Sequence, residues 1–164
     1  MQSTFTIENA RPEDVPAILG FIRELAEYEH LSHQVEASEE LLHRYLFEEA
    51  KCHALIAKIE GAAVGYALYF YNFSTFLARP GIYLEDLLVQ PSFRGRGIGK
   101  SLILHLAQIA KAENCGRLEW SVLKWNAPSI AFYQTLGAEA LDEWDTMRVS
   151  GQALENLQQP ASEG

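Results

Sequence analysis

Val89-Gln90-Pro91-Ser92-Phe93-Arg94-Gly95-Arg96-Gly97-Ile98-Gly99-Lys100-Ser101 is the stretch on which the reading of this chain turns. Before it, Ile82 to Val89 is an apolar run of strand length, and Pro91 ends it. After it, Ile98, Leu102, Ile103, Leu106, Ile109 and Ala110 fall on one face of a helix, predicting a helix from about Ile98 to Asn114. Strand, glycine-rich turn and helix thus follow one another. Glycine lets the backbone turn tightly and brings N–H groups close to a ligand. A helix start adds N–H donors without intrahelical partners and the positive end of the helix dipole. Together these make an anion site. Arg94, Arg96 and Lys100 add positive charge in a chain whose formal net charge is −9. A pyrophosphate is the natural occupant.

Three phosphate-binding patterns compete for the loop. The dinucleotide fingerprint G-x-G-x-x-G is not met, because the glycines read G-x-G-x-G and do not open the first strand-turn-helix unit; Glu119 does lie about 20 residues on, as that fold asks. A Walker A loop finds its Gly99-Lys100-Ser101 but meets Arg94 where its first glycine belongs. The pattern R-x-x-G-x-G is satisfied by Arg94, Gly97 and Gly99. A glycine-rich turn with no ligand is the alternative for the loop taken alone.

Working outward, Phe5-Thr6-Ile7 reads as a first strand. Pro12, Glu13 and Asp14 open a helix whose apolar face is Val15, Ile18, Leu19, Ile22, Leu25 and Ala26, with Pro16 in the first turn. Ser38 caps a shorter helix reaching about Phe47. His53 to Ile59 and Ala63 to Tyr71 are strands flanking the turn Glu60-Gly61-Ala62, and Arg79-Pro80-Gly81 leads into the run before the glycine loop. Beyond that loop and its helix, a strand is predicted over Arg117–Leu123, a helix from Asn126-Ala127-Pro128 to about Leu136 with Gly137 as its stop, and a last strand within Glu139–Val149. From Gly151 the tail is polar, with Gln158-Gln159-Pro160, and is expected to fray. The middle is a meander and the second half alternates strand and helix. The fold class is therefore α/β, with a mixed sheet of both pairing senses.

The 164 residues suit one domain with one core, read as residues 1–150 followed by the tail 151–164. The charge of −9 comes with no basic cluster that could coat nucleic acid. An acidic surface favours cationic partners, or serves only to keep the protein in solution. Cys52 and Cys115 make no disulfide framework and no CxxC pair, and read as small buried hydrophobes in a reducing compartment. His30, His33, His43, His53 and His105 show no metal-ligand spacing, so no metal is expected. The start, Met1-Gln2-Ser3-Thr4, lacks a signal-peptide pattern. The longest apolar stretch, Val64–Tyr71, is far short of the roughly 18 residues that span a bilayer. A cytoplasmic protein without a membrane partner is expected.

Four further features bear on chemistry. Glu85 and Asp86 interrupt an apolar run, and strand alternation sends them to opposite faces. One of them meets a ligand in a wet cleft, or both belong to salt bridges at a strand edge. Tyr133 is a candidate proton donor or a core partner of Phe132. Asn126 is a ligand contact or a helix cap, and Tyr28 with Glu29 is a ligand contact or a solvated helix end.

The loop pattern R-x-x-G-x-G resembles the coenzyme A pyrophosphate motif of the GNAT N-acetyltransferases. Tyr83-Leu84-Glu85-Asp86-Leu87-Leu88-Val89 before it, with Trp125-Asn126-Ala127-Pro128-Ser129, Phe132-Tyr133 and Gly137-Ala138 after it, resemble the diamine (spermidine/spermine) branch. Val122-Leu123-Lys124-Trp125-Asn126, Glu24-Leu25-Ala26-Glu27-Tyr28 and Leu31-Ser32 look closer to its thialysine-acetylating sister group, and Glu119-Trp120-Ser121 departs from the vertebrate polyamine enzymes. The resemblance covers about residues 5 to 150. It implies a mostly antiparallel central sheet flanked by helices, acetyl-CoA as cosubstrate and a homodimer. By the same resemblance, the main chain of Leu87, Leu88 and Val89 would hold the thioester end. Gly95, Arg96, Gly97, Ile98, Gly99 and Lys100, with Arg94, would hold the pyrophosphate. Asn126, Ala127, Pro128 and Ser129 would line the pantetheine, with Tyr133 near the sulfur. Glu85 would be the base acting through water, and Tyr28, Glu29, Glu85, Glu119, Trp120 and Ser121 would face the amine.

The chemistry asks for such groups. A lysine-like amine has a pKa of about 10.4, so on the order of one molecule in a thousand is free base at neutral pH. Attack on a thioester needs that free base, hence a proton acceptor, a donor to the carbonyl and a proton source for the departing thiolate. The expected reaction is direct acetyl transfer to a primary amine of a small cationic acceptor, a diamine or polyamine or a thialysine-like amino acid. The alternatives are other amino acids or protein amines as acceptors, or a non-catalytic CoA-binding sensor.

Overall fold

The computed structural model describes residues 4–157. The chain divides into two compact units, Met1–Ser121 and Val122–Gly164. The first holds a five-stranded sheet in the order β1-β2-β3-β4-β5. Its strands are β1 (Phe5–Asn9), β2 (His53–Ile59), β3 (Ala62–Ser74), β4 (Arg79–Val89) and β5 (Leu118–Trp120). β1 to β4 pair antiparallel, and β5 pairs parallel with β4. The expected mixture of pairing senses is therefore present, with the antiparallel sense dominant.

Helix α1 (Val15–Tyr28) follows a 3-10 turn at Pro12–Asp14, and Pro16 occupies its first turn, where a missing N–H costs little. Ile18 and Phe21 on α1 pack with Leu46, Ile56, Tyr66, Leu68 and Leu88 in one core cluster. By strand alternation, Leu55, Ala57 and Ala67, also fully buried, face the other way. Helix α3 (Ile98–Ala112) brings its buried Ile98, Leu102, Ile103 and Leu106 onto β1 to β5. The central strands are covered on both faces, which is why their sequences read as apolar runs.

The short helix α2 (Glu39–His43) begins as expected at Ser38, whose Oγ accepts from the Leu41 N–H at 3.2 Å. It does not stay α-helical to Phe47: Arg44–Glu48 is a π-helical turn. Helix α1 ends in a Schellman arrangement, with the His30 N–H donating to Glu27 C=O and the Leu31 N–H to Ala26 C=O. That ending fixes the turn carrying Tyr28 and Glu29.

Two ladders are interrupted. Between β2 and β3 the register shifts at Ala57/Lys58. Between β3 and β4 it passes from Leu68↔Asp86 to Tyr69↔Leu84, leaving Glu85 as the extra residue of a bulge. The simple alternation expected for Glu85 and Asp86 is broken at that point. β5 is also shorter than expected over Arg117–Leu123: its ladder to β4 covers Ile82↔Leu118 to Leu84↔Trp120 and stops one residue before the bulge.

In the second unit, Asn126 caps α4 (Ala127–Thr135), accepting from the Ser129 N–H at 3.4 Å. The strand expected within Glu139–Val149 is not formed. Leu141, Trp144, Met147 and Val149 are all exposed, and among the described residues no strand pairs with the segment, so the expected strand has no ladder to join. Where fraying was expected, Gly151–Leu157 forms a short helix, α5. The expectation for Gln158-Gln159-Pro160 lies outside the described residues. Both cysteines are half-buried free thiols rather than core residues. No helix among the described residues is long and apolar enough to cross a membrane.

Candidate active site

The end of β4 is open on one side. The Gln90 N–H donates to Val64 C=O at 2.9 Å, which turns Gln90, and Leu88 two residues earlier, toward β3. The N–H groups of Leu87 and Val89 then point to the opposite edge, where the β5 ladder has already ended at Leu84. Main-chain donors at a strand end beside a bulge are suited to an extended ligand lying along the edge. Gly65 lies directly behind this segment: a Cβ there would stand 2.7 Å from Leu88 O.

The loop after β4 carries the anion site read from the sequence. Gly95 (φ 78°) and Gly97 (φ 81°) are left-handed, a conformation that glycine adopts without penalty. A Cβ at either would meet no atom within 4 Å, so the backbone there is approachable. Gly97 is the N-cap of α3 and offers no side-chain cap. The first intrahelical bond runs from the Ser101 N–H to Gly97 C=O, leaving Ile98, Gly99 and Lys100 as N–H donors without intrahelical acceptors. This donor set fits a pyrophosphate. Arg94 braces the loop, its Nε donating to Val89 C=O at 2.8 Å. The Arg96 guanidinium lies 5.3 Å from the Phe93 ring centroid.

Acidic groups gather where β4 bulges. The Tyr66 hydroxyl donates to Asp86 Oδ2 at 2.6 Å. Burial holds the Asp86 carboxyl above its usual range, and the Tyr66 hydrogen bond partly offsets that. Glu29, at the end of α1, is also raised, first by burial and then by the Asp86 charge. Tyr66 is raised well above a normal phenol by burial and by the charges of Asp86, Glu29 and Glu85. Three carboxylates from two elements therefore act on one buried hydroxyl. A cation entering among them would relieve both the desolvation and the mutual repulsion.

The other candidates are distributed less compactly. Glu119 forms an ion pair with Arg117. The Ser121 and Tyr83 hydroxyls are hydrogen bonded at 2.5 Å. Tyr28 is exposed and Trp120 half-buried. In the second unit Tyr133 lies on α4, half-buried, with its ring centroid 5.5 Å from that of Phe132. Asn126 is buried and acts as the helix cap that the sequence offered as one of its two readings. Among the described residues, no group of three or more His, Cys, Asp or Glu is arranged to hold a metal.

The model of the acetyltransferase (GNAT) family matches residues 19–138 of the chain. The chain belongs to the GNAT family. Thialysine N-epsilon-acetyltransferase of Bos taurus is 42% identical over 163 residues, covering 92% of this chain and 95% of that protein. L-ornithine N5-acetyltransferase of Arabidopsis thaliana is 39% identical over 93 residues, 57% of this chain and 41% of that protein. Among solved structures, an integron cassette protein from the mobile metagenome of V. cholerae superimposes with a TM-score of 0.79 at 30% identity, over 95% of this chain and 98% of that one. The protein is an N-acetyltransferase, of a family that uses acetyl-CoA.

Within this GNAT chain, the two segments expected to hold acetyl-CoA, Leu87–Val89 and the glycine loop, both lie in the first unit. The open edge of Leu87–Val89 and the N-terminus of α3 are joined by one short loop, and Glu85 lies two residues before that edge. Sequence reasoning missed Asp86 as a partner of Glu29, because alternation assigned it a separate task. It missed Tyr66 altogether. The only available signal was a phenol within the apolar run Val64–Leu68.

Proposed function

We propose that this N-acetyltransferase transfers the acetyl group of acetyl-CoA directly to a primary amine of a small cationic acceptor, a diamine or polyamine or a thialysine-like amino acid. The observation that carries the reading is the convergence of Glu29, Glu85 and Asp86 on Tyr66 beside the bulge of β4. Such a cluster of carboxylates repels anions and gains from a cation. The activities named for the thialysine and ornithine relatives agree with it.

Acetyl-CoA supplies the activated thioester. Gly95 to Lys100 and Arg94 bind its pyrophosphate, the main chain of Leu87, Leu88 and Val89 binds its thioester end, and Asn126 to Ser129 line the pantetheine. The Val89 N–H polarises the carbonyl as charge develops on its oxygen. Glu85 accepts the amine proton through water, and Tyr133 donates its phenolic proton to the departing thiolate. Tyr28, Glu29 and Asp86, with Glu119, Trp120 and Ser121, face the acceptor. The same proposal takes residues 1–150 as one acetyltransferase domain with a polar tail at 151–164, acting in the cytoplasm as a homodimer.

The test is thiol release from acetyl-CoA across polyamines, diamines, thialysine, ornithine, lysine and lysine peptides. Turnover concentrated on one small amine is the expected result. Turnover of peptides alone would overturn the small-amine reading.

A further inference from the structure

Tyr66 has no solvent exposure, and its ring stacks on Phe21 of α1 with centroids 5.4 Å apart. The ring alone explains its place in the core; the hydroxyl needs a separate explanation. A buried phenol requires an acceptor, but any main-chain carbonyl would serve. Here the acceptor is a carboxylate, Asp86, whose burial is costly in the absence of a compensating cation. The charges of Asp86 and Glu85 on β4 and of Glu29 at the end of α1 all act on Tyr66. The arrangement is unfavourable for the resting protein and favourable once a cation enters. The amine that attacks a thioester must be neutral, so a lasting ion-pair partner for Asp86 and Glu29 is a second ammonium group on the same acceptor.

We propose that Tyr66 is a positioning residue for the acceptor: its phenol fixes Asp86 through Oδ2 and so directs the other oxygen, Oδ1, to the second, non-reacting ammonium group. The inference rests on the small-amine reading above and assigns a residue to the second amino group of such acceptors. Tyr66 touches no reacting atom in this scheme and acts through Asp86. Its hydrogen bond also opposes the effect of burial on the Asp86 carboxyl, so it keeps the carboxylate in its binding form at lower pH.

Tyr66→Phe tests this, since the stacked ring is kept and only the hydroxyl is lost. With acetyl-CoA saturating, KM for lysine, ornithine and thialysine should rise about tenfold, the scale of a hydrogen bond to a charged group. The kcat should stay within about twofold, and KM for a monoamine such as butylamine should barely move. The acidic limb of kcat/KM for the diamino acceptors should shift to higher pH. A carbon-13 titration of the Asp86 carboxyl, without substrate, should shift the same way. A lower Tm with KM, pH limb and Asp86 titration all as in the wild type would overturn the proposal and leave the hydroxyl a core contact. Failure of the parent reading looks different: the wild-type protein itself would turn over none of these amines, and the acceptor role given to Tyr66 would fall with it.

Discussion

At the scale of single residues, the proposed mechanism assigns the two proton transfers to Tyr133 and Glu85, and each assignment yields a separable outcome. Tyr133→Phe removes the donor to the leaving thiolate and keeps the ring beside Phe132. General acid catalysis contributes on the order of 100-fold or more, so kcat should fall by about that factor, with acetyl-CoA affinity little changed. Single-turnover kinetics and calorimetric binding of acetyl-CoA check the two halves; an unaltered kcat would remove Tyr133 from the mechanism. Glu85→Gln takes away the proton acceptor. Its kcat/KM should fall by roughly 100-fold, and its acidic limb should change shape, keeping only the part that Asp86 contributes. A pH–rate profile superimposable on that of the wild type would rule Glu85 out as the base. Glu85 is the extra residue of the bulge and is exposed, so the substitution perturbs little packing.

At the scale of elements, the open end of β4 and the start of α3 form one device built around left-handed glycines. Gly97→Ala puts a Cβ on a residue with φ of 81°, which costs roughly 1–2 kcal/mol. The loop can relieve that strain only by turning its N–H groups away from the anion. Acetyl-CoA Kd should therefore rise about tenfold or more, while KM for the amine changes little; calorimetry and steady-state kinetics separate the two. Much of this was legible in the sequence, because glycine, proline and helix periodicity are local signals. The strand His53–Ile59, the cap at Ser38 and the start of α3 at Ile98 were all readable from such signals. The bulge at Glu85 was not, since a run buried on both faces lacks the alternation that a skipped residue would disturb. Tyr66 was hidden for a related reason: its neighbours in the run made it a core aromatic, and the acceptor of its hydroxyl lies twenty residues away across a ladder. The strand expected within Glu139–Val149 failed in the opposite direction. The segment carries apolar residues at Leu141, Trp144, Met147 and Val149, but a strand needs a neighbouring backbone, which no local pattern supplies.

At the scale of the whole molecule, the acidic pocket should lower stability in return for function. Asp86 and Glu29 both have carboxyl groups raised above their usual values by burial, and Glu29 further by Asp86. For an acid raised in the folded state, the native protein binds protons more tightly than the unfolded chain. The stability linked to these groups is fully present below the unfolded pKa values, near 3.8 for Asp86 and 4.5 for Glu29, and is lost as pH rises through the higher folded values. Above those folded values the protein without substrate bears the cost of keeping them charged. Asp86→Asn keeps an acceptor for the Tyr66 hydroxyl and removes the charge, which also relieves Glu29. The variant should melt above the wild type at pH 7, with a gain of about 1 kcal/mol appearing as roughly 2–4 °C. That advantage should shrink as pH falls toward 4, where wild-type Asp86 becomes protonated as well. Thermal melts of both proteins across this pH range, with and without a diamino acceptor, decide the matter. The acceptor should stabilise the wild type strongly and the variant weakly, because only the wild type offers it the buried charge. A variant that melts lower at every pH would mean that Asp86 is held for the fold, and that the convergence of carboxylates on Tyr66 is structural rather than a device for recognising cations.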